Sequence, residues 1–185
     1  MLITIGGKAG SGKGTIAKLL AKKLKYEIIS IGDMRRKLAE EMGINIYEFN
    51  KLGDNPENAQ EFDIKYEEYQ KQIPLTDNII LDSRLGFYVQ PKAFKILLEV
   101  DEKVASKRIL GANRETDHFK TPEDALKEVQ ERNLNDKTRY KKLYNIDVRN
   151  YKNYSLVIDT SERTPEEILD IVLNEFKNRQ LKKGV

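Results

Sequence analysis

The 185 residues contain no cysteine, no tryptophan and a single histidine, His118. The first absence excludes disulfides, thiolate metal sites and a cysteine nucleophile. One histidine excludes any site within the chain built on two histidine ligands, and leaves a Ser-His-Asp mechanism only His118 to run through. No apolar run approaches the roughly 18 residues of a membrane span. The opening Met1-Leu2-Ile3-Thr4-Ile5 enters strand-like residues without the basic segment and apolar stretch of a secretory leader, so a soluble cytoplasmic protein is expected. An excess of one charge is also missing. Charged residues make up 34%, above the usual share of about 25%, but 33 Lys+Arg against 30 Asp+Glu leave only +3. That balance argues against a chain that coats nucleic acid or an anionic membrane. A site here has to be made from Lys, Arg, carboxylates, hydroxyls and backbone, with any metal held by oxygen.

At roughly 150 residues per domain, the length suits a single domain, 1–185, with room for a small inserted lobe. No repeat, low-complexity stretch or Pro/Gly/Ser-rich linker divides it. Leu2 to Ile5 reads as a short buried strand, followed by a glycine-rich turn and a helix from about Lys13 to Leu24. Tyr26 to Ser30 is a second strand, and Asp33 to Met42 a second helix. From Gly43 to Pro74 the pattern changes. Phe62, Tyr66, Tyr69 and Ile73 recur at helical spacing, with Pro56 and Glu57 suited to a helix start and Pro74 to a stop. This stretch reads as an inserted helical lobe, 33–73, in which Tyr66 and Tyr69 pack. Further strands are expected at Asn78–Asp82, Phe94–Val100 and Tyr154–Asp159, and a helix at Asp101–Leu110. Gly111 to Lys120 is polar and turn-rich, a loop in which His118 faces solvent. Thr121-Pro122 opens the next helix, and Thr164-Pro165-Glu166-Glu167 is a capping box for the last one, with Ile168, Leu169, Val172, Leu173 and Phe176 on its core face. Strands alternating with helices imply an α/β sandwich around a five-stranded, mostly parallel sheet.

Directly after the first strand stands Gly7-Lys8-Ala9-Gly10-Ser11-Gly12-Lys13-Gly14-Thr15. This G-x-x-x-x-G-K-G-T is a Walker A variant with glycine before the hydroxyl residue. Its glycines let successive backbone N–H groups turn inward around phosphate, and the helix behind adds a positive N-terminal dipole. Lys13 is placed to reach the β- and γ-phosphates, and Thr15 to offer its hydroxyl to Mg²⁺. The plain alternative is a glycine turn between strand and helix. The five fixed positions recur by chance in roughly one chain of this length in several thousand. Ile79-Ile80-Leu81-Asp82 then supplies an apolar strand ending in a carboxylate, suited to sit beside the metal.

The ten arginines bear on what happens to the phosphate. Phosphoryl transfer needs positive charge on donor, acceptor and the group in flight, and guanidinium forks suit that role. Arg36, in Ser30-Ile31-Gly32-Asp33-Met34-Arg35-Arg36, and Arg84, after Asp82, both follow strand C-termini, where open α/β sheets bind ligands. Arg132, Asp136 and Arg139 fall within about 60° of one another on a helix, on the stripe that also carries Ala125, Val129 and Leu143. An exposed ion-pair ladder, worth about 0.2–0.5 kcal/mol per pair, would lie on the opposite face. These charges therefore read as lining a cleft.

With these motifs in this order, the chain resembles the nucleoside monophosphate kinases from about residue 1 to 180. It looks most like their cytidylate kinase branch in its short archaeal form. The resemblance rests on Ser30-x-Gly32-x-x-x-Arg36, on Asp82-Ser83-Arg84-Leu85-Gly86, and on Arg132-x3-Asp136-x2-Arg139-Tyr140 followed by Leu143-Tyr144-Asn145-Ile146-Asp147. It implies a P-loop NTPase sandwich of three layers, with 33–73 as the monophosphate-binding lobe and a short lid region, 111–139. It implies ATP as phosphate donor, Mg²⁺, and CMP, with dCMP, as acceptor. AMP or UMP acceptors, a non-nucleotide metabolite, and a nucleotide-binding module without turnover are the alternatives. By position, Gly7 to Thr15 would hold ATP, with Lys13 on its phosphates, and Thr15 and Asp82 would serve the metal. Ser30, Arg36, Arg84 and Asp136 would serve the acceptor, and Lys13, Arg132 and Arg139 the transferred group. Arg114 falls in the lid without a clean match of spacing. The longer bacterial branch has Asp-Gly-Arg-Asp where this chain has Asp82-Ser83-Arg84-Leu85, and its second aspartate helps read cytosine. Lacking cysteine, the lid carries no zinc site. Small-molecule nucleotides as partners, no nucleic acid, no membrane and a monomer complete the expectation.

Overall fold

The computed structural model describes residues 1–58, 60–76, 78–111 and 121–183. Five strands, β1 (Ile3–Gly7), β2 (Glu27–Ser30), β3 (Ile79–Asp82), β4 (Phe94–Glu99) and β5 (Leu156–Asp159), form one sheet in the order β2-β3-β1-β4-β5. All four pairings are parallel. Because β1 is central and the chain winds first to one side and then to the other, its C-terminal end is the point where strand order reverses and where such sheets leave a crevice.

Eight α-helices accompany the sheet among the described residues: α1 (Lys13–Leu24), α2 (Ile31–Glu41), α3 (Ile46–Asp54), α4 (Lys65–Lys71), α5 (Gly86–Val89), α6 (Glu102–Gly111), α7 (Pro122–Tyr144) and α8 (Pro165–Lys183). They cover both faces of the sheet. Ile3 and Ile5 of β1 point to the α1/α8 side, where they join Ile16, Leu20, Ile96, Leu98, Val172 and Phe176 in the largest apolar cluster. Leu2 points the other way, with Ile31, Tyr66, Ile73 and Leu81. This alternation follows from the two-residue period of a strand. A third cluster, Ala9, Val100, Ala105, Ile109 and Val129, ties α6 and α7 to the loop after β1.

Local signals set most boundaries. Thr121 accepts a hydrogen bond from Asp124 N–H (3.1 Å) and Pro122 occupies the first turn of α7. The Thr164–Glu167 capping box forms in both directions at the head of α8 (Thr164 N to Glu167 Oε2, 2.8 Å; Glu167 N to Thr164 Oγ1, 3.2 Å). Helix α2 starts two residues earlier than its sequence suggests, because Ser30 is its cap and accepts from Asp33 N–H at 3.2 Å. Between β2 and β3 the chain is helical as expected, but in pieces: α2, α3, a 3₁₀ turn Pro56–Asn58, a π-helical turn Gln60–Ile64 and α4. Tyr66 is buried and Tyr69 is exposed. The last strand begins at Leu156 rather than Tyr154, since Tyr154 leaves the sheet to pack on Phe87 and donates its hydroxyl to Val148 O (2.9 Å). The loop expected at Gly111–Lys120, with Arg114 and His118, falls from residue 112 onward outside the described residues.

The end of β1 is tight. Gly7 has φ +146°, and a Cβ there would stand 2.2 Å from the Leu98 carbonyl of the neighbouring strand. Gly7→Ala is expected to destabilise the protein by about 3 kcal/mol or more, since backbone must move. At this chain length that is a fall of roughly 6–12 °C in Tm, readable by thermal denaturation.

Candidate active site

The loop between β1 and α1 wraps around a hollow. Gly10 (φ +74°) and Gly12 (φ +84°) take left-handed conformations that only glycine adopts freely. The Lys13 ammonium folds back and donates to the carbonyls of Gly7 (2.9 Å) and Lys8 (2.8 Å). This leaves the backbone N–H groups at the head of α1 facing a cavity of about 410 Å³. The cavity runs along the C-terminal ends of the strands. Ala9 to Thr15 form its floor. Arg36 and Ile31 enter from α2, Asp82, Ser83, Arg84 and Leu85 from the end of β3, and Arg132 and Tyr140 from α7. At one end lie Arg108, Ile109, Arg163, Pro165 and Ile168; at the other, Ile46, Asn50, Asp63, Tyr66, Glu67 and Gln70.

Charge dominates the lining. Among the described lining residues, Lys13, Arg35, Arg36, Arg84, Arg108, Arg132 and Arg163 outnumber Asp63, Glu67 and Asp82. Such an excess of cations in a walled cleft suits a polyanion. Burial, reinforced by Arg84, pushes Lys13 down to about 8, with Asp82 and Asp136 acting in the opposite direction. Burial pushes the Asp82 carboxyl up, against the pull of Lys13 and Arg84. Its Oδ2 lies 3.5 Å from Ser30 Oγ, and a Cβ on Gly14 would stand 3.9 Å from it. The carboxylate therefore hangs over the first turn of α1, on the wall that also carries Thr15. A carboxylate and a hydroxyl beside a phosphate cradle make an all-oxygen donor set of the kind Mg²⁺ takes, with waters and substrate phosphates completing it. Among the described residues no group of three or more His, Cys, Asp or Glu forms a metal cluster.

The residues singled out in the sequence meet here unequally. Ala9 to Thr15, Arg36, Asp82, Arg84 and Arg132 line the cavity. Lys8 does not: its ammonium turns outward to Glu99 (3.1 Å), which Arg149 also holds, so only its backbone belongs to the cradle. Gly7 stands behind the floor, Ser30 serves as cap, and Arg36 pairs with Asp33. Asp136 lies behind the lining and grips Arg84 (Nε to Oδ2, 2.5 Å). Arg139 likewise lies behind the lining and pairs with Asp63, which is part of it (3.1 Å).

Several residues that line the cavity were not singled out in the sequence. Arg35 is 7% exposed, donates to Phe62 O (2.6 Å) and Asp63 (3.4 Å), and lies over the rings of Phe49 and Tyr66. Arg108 is held by Thr160 (3.0 Å to Oγ1, 2.6 Å to the carbonyl), and Thr160 also donates to Ser11 O (3.3 Å). Arg163 follows the end of β5, so the strand-end rule that singled out Arg36 and Arg84 points to it equally. No such signal marks Asp63, Glu67 or Gln70.

A strand–glycine loop–helix cradle at the reversal point of a parallel sheet, with arginines around it, defines a P-loop kinase. Comparison with known proteins places it further. The model of the cytidylate kinase-like family matches residues 2–162. Cytidylate kinases of Methanococcoides burtonii (36% identical, covering 93% of this chain and 94% of that protein) and Methanocaldococcus jannaschii (36%, 96% and 98%) are similar over nearly their whole length. An S-adenosylmethionine-dependent nucleotide dehydratase of Lacinutrix mariniflava is also 36% identical over 95% of this chain, which spans only 36% of that relative's length. Among solved structures, shikimate kinase from Bacteroides thetaiotaomicron has the same fold (TM-score 0.66, 13% identity, covering 96% of this chain and 98% of that one). So does deoxyadenosine kinase from M. mycoides (0.51, 18%, 96% and 100%). The chain belongs to the cytidylate kinase-like family.

Glu67 supplies a test of the site's electrostatics. Burial pushes its carboxyl up from 4.5 to about 7, aided by Asp63 and opposed by the Tyr144 hydroxyl and by Arg139 and Arg35. The folded chain thus keeps a proton that the unfolded chain has released between these values, and stability falls as pH rises through that window. In Glu67→Gln this loss is absent. Relative to wild type, the variant should gain about 1–3 kcal/mol between pH 5 and pH 8, read as a smaller drop in Tm.

Proposed function

We propose that this chain transfers the γ-phosphoryl group of ATP to CMP, and also to dCMP. The observation that carries the reading is the single cavity. A phosphate cradle and a helical lobe open into the same space, with Lys13, Arg84 and Arg132 between them, as a two-substrate phosphotransferase requires. The family and its cytidylate kinase members support CMP as acceptor.

In this mechanism the loop Gly7 to Thr15 and Lys13 hold the ATP phosphates. Arg108, Arg163 and Ile168 enclose the donor's base. Arg36 and Arg84 hold the acceptor phosphate, Arg84 being aimed by Asp136. The lobe 33–73 closes on the acceptor nucleoside, and the lid 111–139 brings Arg132 to the transferred group, with Arg139 fixed to the lobe through Asp63. An oxygen of the CMP phosphate forms a bond to the γ-phosphorus as the bond to the β,γ-bridging oxygen breaks, leaving ADP and CDP. The acceptor oxygen is already an anion, so no general base is required, and catalysis consists of positioning and charge neutralisation. Mg²⁺, held by Thr15 and through water by Asp82, would neutralise the donor phosphate oxygens. Enclosure by lobe and lid keeps water from taking the phosphoryl group.

CMP-dependent release of ADP tests this, with AMP and UMP offered in parallel. CMP should be the preferred acceptor, and better use of AMP would replace it. Lys13→Ala and Arg132→Ala should each lower kcat/KM by about 10²–10³-fold while leaving the melting curve near that of wild type. ATP binding without monophosphate-dependent turnover would instead mark a binding module.

A further inference from the structure

The lobe end of the cavity carries three side chains with acceptor oxygens. Asp63, Glu67 and Gln70 follow one another at i, i+4 and i+7, which sets them on one helical face, and all three line the cavity. They are 1%, 6% and 1% exposed. Asp63 spends Oδ1 on Arg35 and Arg139 (3.4 and 3.1 Å), while its Oδ2 is buried without a hydrogen-bond partner among the described residues. Gln70 donates from Nε2 to Tyr66 O (2.9 Å), which fixes the orientation of the amide and leaves Oε1 as a buried acceptor, likewise without a partner. Glu67 takes the Tyr144 hydroxyl on Oε2. The wall is braced from behind: Gln90 donates to the carbonyls of Gln70 (2.6 Å) and Ile73 (3.0 Å) and holds the end of α4 in place.

Buried acceptors that lack a donor are rare in folded proteins and call for a reason. Two of them on one cavity wall, beside the Glu67 carboxyl group, ask for a ligand that brings N–H donors. Leu85, 2% exposed on the same lining, contributes no acceptor from the turn after β3.

We propose that Asp63, Glu67 and Gln70 form the base-reading wall of the acceptor site, selecting a nucleoside monophosphate whose base carries an exocyclic amine and so accepting cytosine over uracil. This rests on the reading of the cavity as a nucleoside monophosphate kinase site. Cytosine brings two N–H bonds at N4, which match acceptors on the wall. Uracil brings the O4 acceptor to the same place, which leaves Gln70 Oε1 unpaired and sets oxygen against oxygen. A site built to receive a donor discriminates strongly against a ligand that lacks it. Adenine also carries an amine, so CMP against UMP is the comparison that isolates the wall.

The test measures kcat/KM for CMP, for UMP and for the monophosphate of pyrimidin-2-one riboside, which is cytosine without its 4-amine. Wild-type protein should favour CMP over both by about 100-fold or more. Gln70→Met, of similar length but without the acceptor, should reduce the CMP/UMP ratio at least tenfold, mainly by raising the KM for CMP. Gln70→Glu, which restores an acceptor, should recover most of the preference. Comparable use of CMP and the des-amino analogue by wild type overturns the proposal whether or not the variants fold. So does an unchanged CMP/UMP ratio in a Gln70→Met protein with a normal melting curve. Either result leaves monophosphate kinase activity standing, whereas absence of turnover with every monophosphate removes that activity and this inference together.

Discussion

A cleft that is to gather polyanions has to be stable before they arrive. Seven cationic side chains line this one, and carboxylates compensate several of them and fix where they sit. Asp136 holds Arg84, Asp63 holds Arg35 and Arg139, Asp33 holds Arg36, and Glu99 draws Lys8 and Arg149 to the outside of the cradle. The two pairs on Asp63 are nearly shut off from water, where removing one partner would leave an uncompensated charge. The pairs also join elements remote in the chain. Arg84–Asp136 ties the end of β3 to α7, and Arg139–Asp63 ties α7 to the lobe. Charge compensation and the relative placement of lobe, sheet and α7 are thus one constraint.

The apolar framework makes that constraint workable. β1, buried on both faces and hydrogen-bonded on both edges, fixes the start of the glycine loop to within the tolerance of its neighbours. Thr160, fully buried, links the P-loop, the end of β4 and Arg108 through a single side chain. Lys13 is held by loop carbonyls rather than by a carboxylate, and burial lowers its pKa; a phosphate arriving beside it stabilises the charged form. In the proposed mechanism the arginines are aimed in advance, and little reorganisation remains for the reaction itself.

How much of this could be read from the chain depended on sequence distance. The cradle was legible because its parts are contiguous, and glycine at 10 and 12 has a conformational cause. Asp82, Arg36 and Arg84 were legible because strand ends mark the crevice. The face carrying Arg132, Asp136 and Arg139 was legible as a face, but not its partners, since Asp63 lies dozens of residues away in an irregular helical turn. Arg35, adjacent to Arg36, was missed because one residue rotates a helix by about 100°, and only packing decides which of two neighbouring arginines enters the lobe and which the cavity mouth. Lys8 was expected only as part of the cradle's backbone; where its side chain goes, outward to Glu99, is again a matter of long-range packing.

The scarcities in the chain find their place in this arrangement. With no cysteine and one histidine, the protein relies on backbone amides, oxygen donors and fixed positive charge, and transfer to a phosphate oxygen requires nothing more. The sequence by itself determined the local items: the left-handed glycines, the helix caps, the alternating strands and the strand-end residues, each set by interactions within a few positions. Only the tertiary structure decided which carboxylate neutralises which arginine and which acceptors remain unspent at the lobe wall. Those outcomes depend on helix rotation and element spacing, which long-range packing sets and no short window of sequence contains.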